Sequence, residues 1–217
     1  MGYLYGFLAA LLFGANGSVT KAILENGLDP LQLTQLRTFG TALIAGGILL
    51  VVDRSAFRLP PKQILVMAVL GVVGIAVLQA SYAFAIQLLP VGIALLFEYL
   101  AVLLVALIAF FFLKEKVKSR LWIAIGLVLV GMAFVAQIWA STLNGLGVIM
   151  ALIAAVTLAI YFLIGERQVT ATSPLTVAFW TAGFAALFWA FFSGWWRIDP
   201  ASVFEPISLG GNLASVV

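Results

Sequence analysis

The 217-residue chain contains no cysteine and no histidine. Disulfides, thiolate nucleophiles, thiol–metal sites and imidazole acid–base chemistry are therefore excluded, and no metal or cofactor is expected. Charge is scarce too. Eleven Lys or Arg and eight Asp or Glu make up 9% of the residues, against about 25% in an average soluble domain. So few charges cannot cover a protein of this size in water, which excludes a soluble enzyme, a nucleic-acid binder and a disordered chain. No G-x-x-x-x-G-K-[ST] loop occurs, so ATP is not a direct energy source through this chain. Met1-Gly2-Tyr3 supplies no basic n-region, so the first apolar run is expected to be a span and not a cleaved signal. Gly6 also breaks the myristoylation pattern.

What is abundant is apolar surface: 65% of the chain. One crossing of the hydrocarbon core takes about 20 residues, and the apolar total suffices for about seven. The breaks between runs are short, placing spans at 2–23, 31–52, 63–88, 91–113, 120–139, 143–164 and 174–196. The runs are about twice the length of a barrel strand and lack strict alternation, so they read as helices. The fold class is an all-α polytopic membrane protein. Loop charge orients it. Eight of the eleven basic residues (Arg54, Arg58, Lys62, Lys114, Lys116, Lys118, Arg120, Arg167) fall in alternate loops on one side, while only Lys21 and Arg197 fall on the other. That bias places the N-terminus and the eight in the cytoplasm, and Trp139, Trp195 and Trp196 at the outer interface. The Lys114-Glu115-Lys116-Val117-Lys118 turn is accounted for by this role alone.

An internal repeat emerges from spacing. Gly6, Ala10, Gly14 and Ser18 form a small-residue stripe in span 1, and Gly147, Ala151, Ala155 and Ala159 repeat it in span 6 at a constant offset of 141. Glu25 and Glu166 keep that offset, and Pro30-Leu31 matches Pro174-Leu175 after a three-residue insertion. Such stripes let helices approach closely in lipid. Five spans lie within the offset, an odd number, so the second copy enters the membrane upside down. Inverted repeats with a site between them near the midplane are a mark of transporters. The expected units are 1–140, a complete first five-helix repeat, and 141–217, a partial second of two helices plus a loop. Gly2-xxx-Gly6 presents a face for packing within the bundle or for a homodimer.

Several stretches resemble the EamA-type permeases of the drug/metabolite transporter superfamily. Pro90-Val91-Gly92-Ile93-Ala94-Leu95-Leu96-Phe97-Glu98-Tyr99-Leu100-Ala101 resembles that family's fourth helix, and Leu113-Lys114-Glu115-Lys116 its acidic–basic turn. Gly126 and Gly131 resemble the glycines of its fifth helix, and Asp29-Pro30-Leu31 with Leu36-Arg37 its second-helix start. The resemblance implies ten helices in two inverted five-helix repeats, with both termini cytoplasmic, of which about seven are present here. Val102 follows Ala101 where many relatives carry proline.

Ionisable groups in hydrocarbon are functional candidates by default. At ~1.5 Å per residue, Arg37 lies about 10 Å below the surface, Glu98 about 12 Å, and Asn16 and Gln79 about 12–13 Å. Four helices thus put a polar group in one layer. Thr34, Arg37, Thr38 and Thr41 share a stripe of span 2; Ala94, Glu98 and Ala101 share one of span 4. The candidate substrate-binding or gating residues are Asn16, Arg37, Gln79 and Glu98. Tyr82, Tyr99 and Tyr161 are candidate aromatic lining, and Thr157 and Tyr161 come from the second repeat. No residue is a candidate catalytic group. Two uses of the layer stay open: a substrate site, or a structural Arg37–Glu98 pair with Asn16 and Gln79 as interhelical hydrogen-bond glue.

These features point to a secondary transporter, by expectation an exporter, of small metabolites across the cytoplasmic (inner) membrane by alternating access. The expected partners are a small-molecule substrate and the lipid bilayer, with no nucleic acid. The alternatives are a non-transporting truncated protein or scaffold and, more remotely, an intramembrane enzyme, for which no nucleophile–base pair accompanies Glu98. Orientation is directly testable because the chain has no cysteine. A Ser141→Cys variant in intact cells should react with membrane-impermeant maleimide added outside; reaction only after permeabilisation would reverse the topology.

Overall fold

A computed structural model describes residues 2–25, 27–114, 118–137, 139 and 143–197. The turns around Lys116 and Ser141 and the stretch after Arg197 lie outside the described residues. The described chain is helical, without strands among those residues: α1 (Gly2–Glu25), α2 (Pro30–Val52), α3 (Pro61–Val69), α4 (Leu78–Leu88), α5 (Val91–Glu98), α6 (Leu100–Phe111), α7 (Ser119–Val135), α8 (Gly145–Ala171) and α9 (Pro174–Phe192). A π-helical stretch, Leu70–Val77, joins α3 to α4, making one 28-residue span, Pro61–Leu88. Six helices are long and apolar enough to cross a membrane, and α7, at 17 residues, is a shorter apolar helix. The chain is a multi-pass α-helical membrane protein.

The helix starts follow from local chemistry. Asp29 Oδ1 accepts from the Leu31 N–H at 2.8 Å, Gln32 Oε1 accepts from the Asp29 N–H, and Pro30 opens α2 where no N–H is needed. Asn144 caps α8 through the Gly147 N–H, and Ser173 caps α9 through the Thr176 N–H, again with proline at the first turn. Between spans 3 and 4, Leu89 is extended because Pro90 follows it. After α2, Asp53 accepts from the Ser55 hydroxyl at 2.6 Å and from its N–H. The hydroxyl bond first, then the amide bond, holds the Asp53 carboxyl below its ordinary range.

Lipid tails are as apolar as leucine, so helices associate here through close packing and hydrogen bonds. The two broadest interfaces are α2 with α9 and α4 with α8. Around α8 the repeated stripe is a packing face: Gly147, Ala151, Ala155 and Ala159 are all buried. A Cβ at Gly147 would lie 2.7 Å from Leu89 Cγ. In α1 the matching positions behave differently. Neither Gly6 nor Gly14 has a neighbouring atom within 4 Å of where a Cβ would stand. Gly17 makes the close approach in α1, with Val91 Cγ1 at 2.8 Å and the Tyr82 hydroxyl at 3.0 Å from its Cβ position. The first stripe therefore does not pack within the bundle as its periodicity suggests.

The tightest approach is in the π stretch. A Cβ at Gly71 would stand 2.5 Å from the Thr181 carbonyl oxygen, a backbone atom of α9 that cannot yield easily. Gly71→Ala should therefore lower thermal stability in detergent by an amount equivalent to about 1–3 kcal/mol. Gly40→Ala, with open space at its Cβ, should be neutral or stabilising by up to about 1 kcal/mol. Equal melting shifts for the two would show that α9 does not press on the π stretch.

Candidate functional site

Arg37 projects from α2 toward α1. Its Nη1 donates to Thr20 Oγ1 at 3.0 Å, and its Nη2 donates to Asn16 Oδ1 in a short contact. Thr20 in turn donates to the Asn16 carbonyl at 2.7 Å, which fixes the hydroxyl to present a lone pair to the guanidinium. Asn16 and Thr20 are one helical turn apart, so α1 offers both acceptors from one face.

Glu98 ends α5. It is 4% exposed, and its Oε2 has no hydrogen-bond partner. Among the described residues no ion pair joins it to Arg37. The two charges nonetheless feel each other, with the buried Tyr82 hydroxyl interacting electrostatically with both and Tyr99 with Glu98. Gln79 lies three residues before Tyr82 on the same helix face, and its buried Oε1 is also unpartnered.

The structure thus brings Asn16, Arg37, Tyr82, Tyr99 and Glu98 into one electrostatic neighbourhood, with Gln79 a turn away. Thr157 spends its hydroxyl on its own helix, at 2.9 Å from the Ile153 carbonyl and 3.0 Å from the Ala154 carbonyl. Tyr161 packs with Met67, Leu70 and Val177, and its Cδ2 lies 3.0 Å from the Cβ position of Gly74. Thr34 and Thr38 likewise bond carbonyls of their own helix. Thr20 is the partner that residue spacing left unnamed. Its signal was the i, i+4 step from Asn16 on the face that meets Arg37.

Irregular backbone flanks the layer on both sides. Gln79 follows the π stretch by two residues. Glu98 precedes a break at Tyr99, where the Val102 N–H donates to the Tyr99 carbonyl at 3.0 Å, an i→i−3 turn. The break forms although residue 102 is valine and not proline. Single π turns inside helices recur at functional positions, and irregular backbone at membrane depth is tolerated where protein or a cavity covers it. Among the described residues no cluster of three metal-ligating side chains occurs.

A bundle of long apolar helices holding a half-buried Arg37 and a buried Glu98, with no ion pair between them among the described residues, defines a polytopic membrane protein with polar groups inside its spans, a combination found in transporters. The chain belongs to the EamA-like transporter family, whose model matches residues 1–137. It is a membrane transporter of the drug/metabolite type. Comparison with curated proteins and with solved structures gives no match.

The hydrogen bonds assign Arg37 to α1. A cycle of Asn16→Leu and Arg37→Met should therefore be non-additive. Asn16→Leu alone should cost about 1.5–3 kcal/mol by leaving the guanidinium short of an acceptor, and should cost clearly less once Arg37 is gone. Thermal unfolding in detergent measures both; additive losses would mean that the contact carries no stability.

Proposed function

We propose that this chain is a secondary transporter that exports small metabolites across the cytoplasmic membrane by alternating access, with its N-terminus in the cytoplasm. The substrate is held near the midplane by Asn16, Arg37, Gln79, Tyr82, Tyr99 and Glu98, between a first repeat at 1–140 and a second begun by 141–217. The observation that carries this reading is that Arg37 and Glu98 are held apart. Each stays within reach of the other's field, but the guanidinium is bonded to α1 and a carboxylate oxygen is left free. A purely structural pair would close into a salt bridge, because an unpartnered group in hydrocarbon is costly. A free acceptor at that depth instead suits an incoming donor from a solute, or a proton.

Arg37 also gives alternation a physical handle. Its bonds to Asn16 and Thr20 tie α1 to α2, while α1 otherwise meets mainly α4 and α5. A substrate that competes for the guanidinium would loosen that tie, and the breaks at Tyr99 and in the π stretch give spans 3 and 4 places to bend.

The test is solute exchange in proteoliposomes with a labelled panel of amino acids, sugars, nucleosides and lipophilic cations. At least one class should show saturable exchange, reduced about 10- to 100-fold in Glu98→Gln and in Arg37→Gln, as loss of one charged hydrogen bond predicts. Exchange that survives both substitutions would remove the layer from the substrate path. No exchange of any class by folded, monodisperse protein would overturn the transporter reading for this chain.

A further inference from the structure

Span 2 carries a second buried polar group, on the face turned away from Arg37. Gln35 lies two residues, about 200°, around α2 from Arg37, and so faces α9 instead of α1. It is 8% exposed, its Oε1 has no partner, and among the described residues its side-chain amide makes no hydrogen bond. It lines a cavity of about 510 Å³ between α2 and α9, together with Leu36, Phe39, Ala42, Gly183 and Trp195. That volume falls within the range of small-molecule sites, about 300–1,000 Å³. Small side chains open it: nothing stands within 4 Å of a Cβ at Gly183.

The cavity is graded along its length. Gln35 lies near the start of α2 and Trp195 just past the end of α9, so both belong to one membrane face. Ala42 and Gly183 lie deeper. One amide at the shallow end, offering a donor and an acceptor, sits above apolar walls. An acyl chain would fill those walls and leave the amide unpaired, at a cost. A neutral hydroxyl satisfies both amide atoms, and an alcohol dissolved in a bilayer already lies with its hydroxyl toward the interface.

We propose that the groove between α2 and α9 is a binding site for a membrane-soluble alcohol, an apolar body bearing one neutral hydroxyl, with Gln35 as the hydroxyl's partner. The site is separate from the Arg37–Glu98 layer. It sits in one of the bundle's two broadest helix interfaces, so its occupancy would brace α2 against α9.

The test uses two photoreactive probes, a diazirine-bearing dodecanol and the matching diazirine-bearing dodecane. Each is added at equal membrane concentration to the protein in phosphatidylcholine nanodiscs. Adducts are counted by mass spectrometry on α2, on α9 and on α7, whose exposed Ile123, Leu127 and Val130 serve as lipid-facing reference. The alcohol-to-alkane ratio on α2 and α9 should exceed that on α7 by about fivefold, the worth of one hydrogen bond. In Gln35→Met the excess should vanish. Gly183→Leu should block the groove and suppress both probes there, and it carries the test if Gln35→Met fails to fold. A ratio on α2 and α9 equal to that on α7, or unchanged in Gln35→Met, overturns the proposal and leaves the groove as a seat for lipid tails.

Discussion

In hydrocarbon a polar group has no water to fall back on, and that constraint organises the whole bundle. The buried hydroxyls obey it locally. Thr34, Thr38, Ser81, Thr157 and Thr181 each donate to a carbonyl about one turn back on their own helix. The tryptophans obey it across the fold. Trp180 Nε1 donates to the Ala56 carbonyl at 2.9 Å, pinning α9 to the turn after α2, and Trp189 Nε1 donates to the Ala76 carbonyl at 3.2 Å. The second bond falls in the π stretch, where helical pairing is irregular. Against that background the unpartnered acceptors inside spans 2 to 4, on Gln35, Gln79 and Glu98, stand out as exceptions.

The same constraint explains why small residues matter so much. With little hydrophobic gain in bringing helices together, contact distance decides which pairs hold. Gly71 against the Thr181 carbonyl, Gly74 against Tyr161 and Gly46 against Phe179 bring spans 2 and 3 onto α8 and α9. The α8 alanines do the same against α4, α5 and α6. The first helix has little of this. Its polar bonds to Arg37, the Gly17 contact and the packing of Leu24 on Leu33 and Ala83 hold it, and its small-residue stripe is largely exposed.

Held this way, the polar layer is asymmetric. Arg37 is bonded to α1, while Glu98 is buried at the end of α5 with its Oε2 unpartnered. Membership of the EamA-like transporter family supplies the context for such a layer. The separation of Arg37 from Glu98 is a property of this chain's own geometry, with the guanidinium bonded to α1 and Glu98 Oε2 left without a hydrogen-bond partner.

Most of the fold was legible beforehand because hydrocarbon thickness sets helix length and charge scarcity leaves no alternative solvent. The positions of six spans and the helix starts at Pro30 and Pro174 follow from counting along the chain, while α7 comes out shorter than its expected span. One regular pattern misled. The α1 stripe has the periodicity of a packing face without being one, because a period shows that a face exists and not what meets it. The sequence by itself determined the membrane class and six of the spans. Tertiary structure alone decided which neighbour each polar group meets: Arg37 with Asn16 and Thr20, Gln35 with the α9 groove, and Glu98 Oε2 without a hydrogen-bond partner. Those choices depend on the rotation of each helix about its axis, which packing sets and which linear spacing does not encode.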